Sequence, residues 1–255
     1  MRKNTVFAVF IAIIAGISSL AASLPFTGIA GIFHFQKGKW VSLFDGKSIT
    51  GWHNYNKEGA TGWLIEEGSL TPDGTGGDLV TDKEYEDFDL EFEFKIPAGS
   101  NSGVLYKVIE KPEIKRTVFS APEYQIIDDK AYVWRNPKGE PITVDARGVP
   151  LKLKEGQLTG ANYDMNPPSD KAAAKAVGMW NTARIVVNKD HVQHYLNGIK
   201  VVDYQYGGDD WKLLLSKSKF TEWPYATPHA KGKIALQNHN VHEKVWFRNI
   251  RIKEL

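Results

Sequence analysis

Apolar and polar residues alternate most regularly over Phe88–Ile96. Five apolar side chains share one face of this segment when it is extended: Phe88, Leu90, Phe92, Phe94 and Ile96. Acidic residues and one lysine fill the positions between them. Because successive side chains of a strand point to opposite sides, the pattern predicts a strand with one face in a core and the other in solvent.

Shorter segments of the same character recur along the chain and are separated by turn residues. We predict further strands at Lys39–Phe44, Trp63–Glu66, Ser69–Leu70, Asp78–Thr81, Asn101–Val108, Asn181–Val187, His191–Leu196, Ile199–Tyr204, Gly232–Asn238 and Val245–Ile252. Asn197-Gly198 is the strongest hairpin signal among the turns. A short helix is predicted within Asp209–Ser218. Many short strands, several hairpins and one helix predict an all-β antiparallel sandwich.

One predicted strand, within Ala121–Asp129, has polar residues on the face that does not belong to the core. Tyr124 and Ile126 share the core face, while Glu123 and Gln125 share the other. A buried carboxylate without a partner is costly, so this pair either faces water or lines a site. We interpret the pair as the floor of a polar groove, and a solvated sheet face is the alternative.

The strand near the C-terminal end repeats this arrangement. Gln237 and His239 lie together on the face opposite Ile234 and Leu236. Two strands that each carry a polar pair can line one concave surface, and a histidine there titrates near neutrality. A surface histidine in a loop is the alternative. Within Asn101–Val108, Gly103 predicts a bulge or the close approach of another backbone.

The regular pattern stops between residues 130 and 178, where prolines and glycines interrupt the periodic runs and only the alanine-rich Asp170–Val177 could form a helical turn or two. An insertion of that length in a compact domain is usually a functional lid or rim. The insertion contains residue types suited to binding sugar hydroxyls or stacking on sugar rings: Trp134, Arg135, Arg147, Asn162 and Tyr163. The remaining chain, residues 39–255, has no repeat that would divide it, and we predict a single domain.

The N-terminal residues have the layout of a secretory signal peptide. Arg2 and Lys3 precede an apolar run, and small residues follow up to Ala22. We predict a signal peptide over residues 1–22, a tether over 23–38 and export to the periplasm or cell surface. A second apolar patch, Leu24–Phe35, leaves an uncleaved anchor open. After processing, no membrane-spanning segment is predicted.

Charge and cysteine content exclude several classes of protein. Without Arg2 and Lys3, the 32 basic residues become 30, which balances the 30 acidic residues, so nucleic acid is not a predicted partner. The chain has no cysteine and therefore no disulfide or thiolate metal site. His239 and His242 are three residues apart, a spacing that leaves a divalent metal open without specifying one. No cofactor is predicted, and the sequence does not indicate an oligomeric state.

Several motifs, taken together and in order, resemble those of the 3-keto-disaccharide hydrolase family. They are Leu43–Trp52, Asn101–Val104, Pro122–Asp128, Trp180–Arg184, His194–Gly198 and Val245–Ile250. The family is also described as 3-keto-glucoside-1,2-lyase/3-keto-2-hydroxyglucal hydratase. The resemblance implies a concanavalin/laminin-G-like jelly-roll sandwich in an exported bacterial protein that acts on oxidised sugars.

The chemistry that this resemblance implies requires three kinds of group. A ketone at C3 acidifies the C2 proton, so a base at C2 can start elimination of the aglycone from C1. We hypothesise that Glu123 and His239 share the base and acid roles and that Lys107 stabilises the enolate. Where many relatives carry arginine, this chain has Lys107, which makes that role less certain.

Further side chains are expected to bind the substrate, and other functions stay open. The expected substrate-binding residues are Gln125, Gln237, Tyr106, Tyr163, His194 and Arg147. His194 could equally be a hydrogen-bonded structural residue. A non-catalytic carbohydrate-binding module is the main alternative, because the same fold serves both. A conventional hydrolase of unoxidised glycans is disfavoured, since Glu91 and Glu93 lack the central aspartate of laminarinase-type glycosidases.

Overall fold

The fold was analysed in a computed structural model that describes residues 38–136, 138–239 and 243–255. The predicted signal peptide, all but the last residue of the tether, and His242 lie outside these residues, and the predictions for them stay predictions. Within the described part of the chain, no helix is both long and apolar enough to cross a membrane.

Fifteen strands and a single α-helix make up the regular structure of the described residues. The strands are β1 (Trp40–Ser42), β2 (Trp52–Asn54), β3 (Trp63–Glu66), β4 (Ser69–Pro72), β5 (Leu79–Thr81), β6 (Phe88–Lys95), β7 (Asn101–Val108), β8 (Glu123–Ile127), β9 (Trp134–Arg135), β10 (Pro141–Ile142), β11 (Asn181–Asn188), β12 (His191–Leu196), β13 (Ile199–Gln205), β14 (Lys233–Leu236) and β15 (Trp246–Glu254). The helix, α1, spans Asp209–Leu215, and short 3-10 helices span Thr117–Phe119, Glu155–Gln157 and Pro224–Ala226.

Two antiparallel sheets face each other. The larger has eight strands in the order β13-β12-β11-β6-β15-β4-β3, with β1 paired to β15, and the smaller has five in the order β2-β5-β14-β7-β8. The core between them contains Phe92 of the larger sheet and Tyr124 of the smaller, whose ring centroids are 5.6 Å apart in an edge-on arrangement. The predicted antiparallel β-sandwich with one short helix is confirmed.

The face of the small sheet that points away from this core is partly covered. Leu105 and Ala235 pack there beneath Ile114 and Ala121, which belong to the connection between β7 and β8. This second cluster ends beside Gly103, where the strands carry polar side chains instead. The outer face of the small sheet is therefore half apolar and closed, and half polar and open.

The insertion predicted over residues 130–178 contains more structure than expected at one place and less at another. β9 and β10 form a two-stranded sheet within it, whereas residues 170–177, where the alanine-rich sequence suggested a helical turn, contain no helix. Residues 160–163 run beside β8, because the backbone N–H of Gly160 donates to the Gln125 carbonyl and that of Tyr163 donates to the Glu123 carbonyl. The insertion thereby extends the small sheet at its open edge.

Candidate functional site

A pocket of about 220 Å³ opens on the polar half of the small sheet. Its walls come from β7, β8, the residues after β14, the insertion and the segment after α1. They are Asn101, Arg116, Val118, Ala121, Pro122, Glu123, Gln125, Asn162, Tyr163, Lys219, Phe220, Trp223, Tyr225, Gln237 and His239. The lining combines carboxylate, amide and imidazole groups with several aromatic rings.

Gly103 lies on β7, between β14 and β8, and the Glu123 side chain packs directly against it. It pairs with Gln125 on one side, and its carbonyl accepts a hydrogen bond of 2.9 Å from the Gln237 backbone on the other. A Cβ atom at Gly103 would lie 2.2 Å from Oε1 of Glu123 and 2.8 Å from its Cγ. The close approach expected at this glycine is therefore made by a carboxylate side chain and not by a backbone.

Glu123 is almost completely buried beside the pocket. Burial raises the pKa of its carboxyl from the usual 4.5 to about 7, and Asp78 contributes to the rise. His239 and a hydrogen bond from the Gln237 side chain act in the opposite direction. A carboxyl with a pKa near neutrality can accept or donate a proton under physiological conditions.

Amide oxygens around the pocket lack donors. Oδ1 of Asn101, Oε1 of Gln237 and Oδ1 of Asn162 are buried and accept no hydrogen bond from the described part of the chain. Buried acceptors are normally satisfied, so exceptions call for an explanation. Three acceptors around one pocket suit a ligand with several hydroxyl donors.

His239 lies on the same side of the pocket. Its Nε2 is 3.2 Å from Nδ2 of Asn101, and its Nδ1 forms an ion pair with Glu243. On the far side, Nζ of Lys219 lies 3.2 Å from the Tyr163 hydroxyl and 3.1 Å from an oxygen of Asp164. The pocket thus places a carboxyl, an imidazole and a cation-paired phenol around one small volume.

Comparison with known proteins identifies the family. Residues 39–253 match the 3-keto-alpha-glucoside-1,2-lyase-like domain. A 3-keto-disaccharide hydrolase of Bacteroides thetaiotaomicron is 33% identical over 244 residues, which cover 85% of this chain and 78% of the relative. The chain belongs to the 3-keto-disaccharide hydrolase family.

Solved structures of similar proteins agree with this assignment. A Parabacteroides distasonis protein provisionally named a glycosyl hydrolase is 35% identical, with a TM-score of 0.73 over 85% of this chain and 94% of that one. A second protein from the same organism, with the same provisional name, is 29% identical, with a TM-score of 0.62 over 85% of this chain and its own full length. The sandwich described above is thus the fold that this member of the 3-keto-disaccharide hydrolase family shares with both.

Five of the nine residues predicted for the site line the pocket of this family member: Glu123, His239, Gln125, Gln237 and Tyr163. The polar pairs after β14 and on β8 therefore do face one hollow, as their spacing indicated. Their catalytic and binding roles stay predictions. The other four predicted residues lie elsewhere.

Lys107 does not line the pocket, because β7 is irregular at this position. The pairing with β14 shifts between Lys233 and Ala235, and the backbone of Lys107 has a positive φ of 57°. The shift turns its side chain toward the core side, where Nζ donates to Asp190 at 3.0 Å and to the Ala230 carbonyl. Its predicted position beside the substrate is wrong, because strict alternation does not hold through a bulge.

Tyr106 and His194 are buried between the sheets. The Tyr106 hydroxyl is 2.9 Å from Nε2 of His194 and 2.9 Å from the Tyr204 hydroxyl. Nδ1 of His194 donates to the Gly160 carbonyl, and burial lowers the pKa of this histidine to about 4. The structural alternative for His194 is the correct one, and neither residue lines the pocket.

Arg147 is exposed and does not line the pocket either. Its guanidinium binds Asp145 in the same turn of the insertion. The prediction that it contacts the substrate rested on its residue type alone. Asn162 and Tyr163 are the insertion residues that line the pocket.

Three polar residues of the pocket were missed in the sequence: Asn101, Lys219 and Arg116. Asn101 pairs with Ile127 and shares the face of Gly103, so period-2 reading of β7 could have found it. Lys219 and Arg116 lie in irregular segments, where no periodicity indicates direction. In the described ranges, His, Asp and Glu side chains form no group of three that could hold a metal ion.

Proposed function

We propose that the protein cleaves 3-keto-glycosides by removing the C2 proton and eliminating the aglycone, and that it hydrates the resulting 3-keto-2-hydroxyglucal. The observation that carries this proposal is the position of Glu123, a buried carboxyl with a pKa of about 7, beside amide acceptors that suit a polyhydroxylated ligand. Family membership supports the same substrate class.

Glu123 is the base in this proposal. A general base works best when its pKa lies near the operating pH, and burial brings this carboxyl to that range. The ketone at C3 makes the C2 hydrogen acidic enough for a carboxylate to remove. The C2–H electron pair then moves into an enolate that extends to the C3 oxygen.

The negative charge that develops on the C3 oxygen needs a donor. The Tyr163 hydroxyl lies in the pocket wall, with Nζ of Lys219 at 3.2 Å from its oxygen and 4.4 Å from its ring centroid. Burial raises the pKa of Tyr163, so its hydroxyl keeps the proton that it donates, and the nearby cation favours negative charge on an oxygen bound to that hydroxyl. This pair takes the role that the sequence assigned to Lys107.

His239 is the acid for the leaving group. As the C1–O bond breaks, the enolate electrons form the C1–C2 double bond, and a proton from Nε2 of His239 goes to the departing aglycone oxygen. Hydration reverses the assignments: His239 removes a proton from water as it adds to C1, and Glu123 returns a proton to C2. The sum is hydrolysis to a free 3-keto sugar and the aglycone.

The test is turnover of a 3-keto-glucoside, followed by the release of the aglycone and by the absorbance of the enone intermediate. The wild-type protein should release the aglycone and should not act on the corresponding unoxidised glucoside, whose C2 hydrogen is not acidic. Glu123→Gln should lose at least about a hundredfold in rate, the usual contribution of a general base.

The Glu123→Gln variant also separates the enzyme from a carbohydrate-binding module. A module should bind the sugar without turnover and should tolerate the substitution. An enzyme should lose turnover while the folded variant still binds the product. Wild-type protein that binds 3-keto-glucosides but never releases an aglycone would leave the binding module as the better description.

A further inference from the structure

Glu243 is a buried carboxylate next to the pocket but outside its wall. The residue is 5% exposed, it lies shortly before β15, and its carboxylate forms an ion pair with Nδ1 of His239. The Tyr132 hydroxyl lies against the same carboxylate. In the parts of the chain that the structure describes, no lysine or arginine forms an ion pair with it.

A buried carboxylate without a counter-charge is costly, so Glu243 favours a positively charged partner. The imidazole of His239 is the group placed to be that partner, because its Nδ1 is in ion-pair contact with the Glu243 carboxylate. Its Nε2 faces the Asn101 amide and the pocket.

The groups around His239 come from several elements. Glu123 on β8 and Asp78 before β5 both interact electrostatically with the imidazole. Asp78 is occupied by the Thr117 hydroxyl and by the Asn238 backbone at 2.9 Å. Among the described residues, Glu243 is the acidic group in ion-pair contact with the ring.

We infer that Glu243 is a positioning residue that holds His239 with Nε2–H directed into the pocket, ready to protonate the departing aglycone oxygen. The inference rests on the proposed function. Glu243 itself does not contact the substrate. Its effect on the rate passes through His239 and should depend on how much the leaving group needs a proton.

The experiment compares two 3-keto-glucosides that differ only in the leaving group. 4-Nitrophenolate leaves readily without a proton, whereas methoxide does not. Glu243→Gln keeps the shape of the side chain and removes its charge. We expect kcat/KM to fall at least about a hundredfold on the methyl substrate, the usual contribution of an acid, and less than about tenfold on the nitrophenyl substrate.

Two controls keep the result interpretable. Glu66→Gln also removes a carboxylate. Glu66 accepts a hydrogen bond of 2.9 Å from Nζ of Lys244, the neighbour of Glu243 in the chain, but it does not line the pocket. This variant should leave both rates unchanged. The comparison of the two leaving groups is the second control, because general destabilisation would lower both rates by the same factor.

The outcomes are distinct. Equal losses on both substrates would overturn the role of Glu243 while the elimination mechanism stands. If Glu243→Gln does not fold, Glu243→Asp keeps the charge but shortens its reach, and it should show the same leaving-group dependence in weaker form. No turnover of either substrate by the wild type would instead refute the proposed function.

Discussion

Burial of Glu123 makes a quantitative prediction about stability and pH. Its pKa is about 7 in the folded protein against 4.5 for an ordinary glutamate, so the folded state binds this proton more tightly. The stability that the protonated carboxyl contributes is fully present below about pH 4.5 and is lost as the pH rises through about 7. At about 1.4 kcal/mol per pKa unit, ionisation costs the folded protein about 3 kcal/mol above neutrality.

Replacing Glu123 with glutamine removes the ionisation and keeps the shape. The free energy of unfolding of Glu123→Gln, relative to wild type, should therefore increase by about 2.5 kcal/mol between about pH 5 and about pH 8.5. Urea unfolding of both proteins across this range measures the difference. The variant should be more stable than the wild type at alkaline pH and nearly inactive throughout.

A difference between the two proteins that does not change with pH would refute this reasoning. It would mean that Glu123 ionises in the folded state as easily as in the unfolded chain, and the carboxyl would then not be a base with a pKa near neutrality. Lys107→Met is a suitable companion, because it also changes a buried charged residue but lies outside the pocket.

Four further predictions concern Gly103 beneath Glu123, two of the four residues that the sequence misplaced, and the pH dependence of the rate. Gly103→Ala should fold but lose at least about a hundredfold in turnover, because its Cβ would displace the Glu123 carboxylate, whereas Gly156→Ala, whose Cβ would make ordinary contacts, should not. Lys107→Met should lose about 1–3 kcal/mol of stability in urea titrations, since it leaves buried carbonyls unpaired, and should keep its activity. Tyr106→Phe should behave similarly, because its hydroxyl joins two buried partners and does not reach the pocket. For a substrate with a good leaving group, kcat/KM should rise as the pH increases through about 7, where Glu123 becomes ionised, and a flat profile would contradict its role as base.

Within the site, the sequence predicted best where the strands are regular. Glu123 and Gln125 on β8 were assigned to the correct face by alternation, and Gln237 and His239 after β14 were too. Lys219 and Arg116 were not predicted, for the opposite reason. They reach the pocket from irregular segments whose path depends on tertiary packing.

The errors within strands have physical causes of their own. Lys107 was assigned to the pocket face by a period of two, but the bulge in β7 reverses the direction of its side chain. Tyr106 and His194 are polar residues on faces that belong to the core. Their hydrogen bonds to each other and to Gly160 satisfy them there, and a single strand does not reveal such partners.

By itself, the sequence determined the antiparallel sandwich, most strand positions, the family and the two polar pairs of the site, because these follow from local alternation and from short motifs. Only the tertiary structure decided which side chains share the pocket, that Gly103 gives room to Glu123, and that Glu243 lies behind His239. Contacts between residues far apart in the chain depend on how strands pair and where a bulge interrupts them. Local patterns do not encode either property.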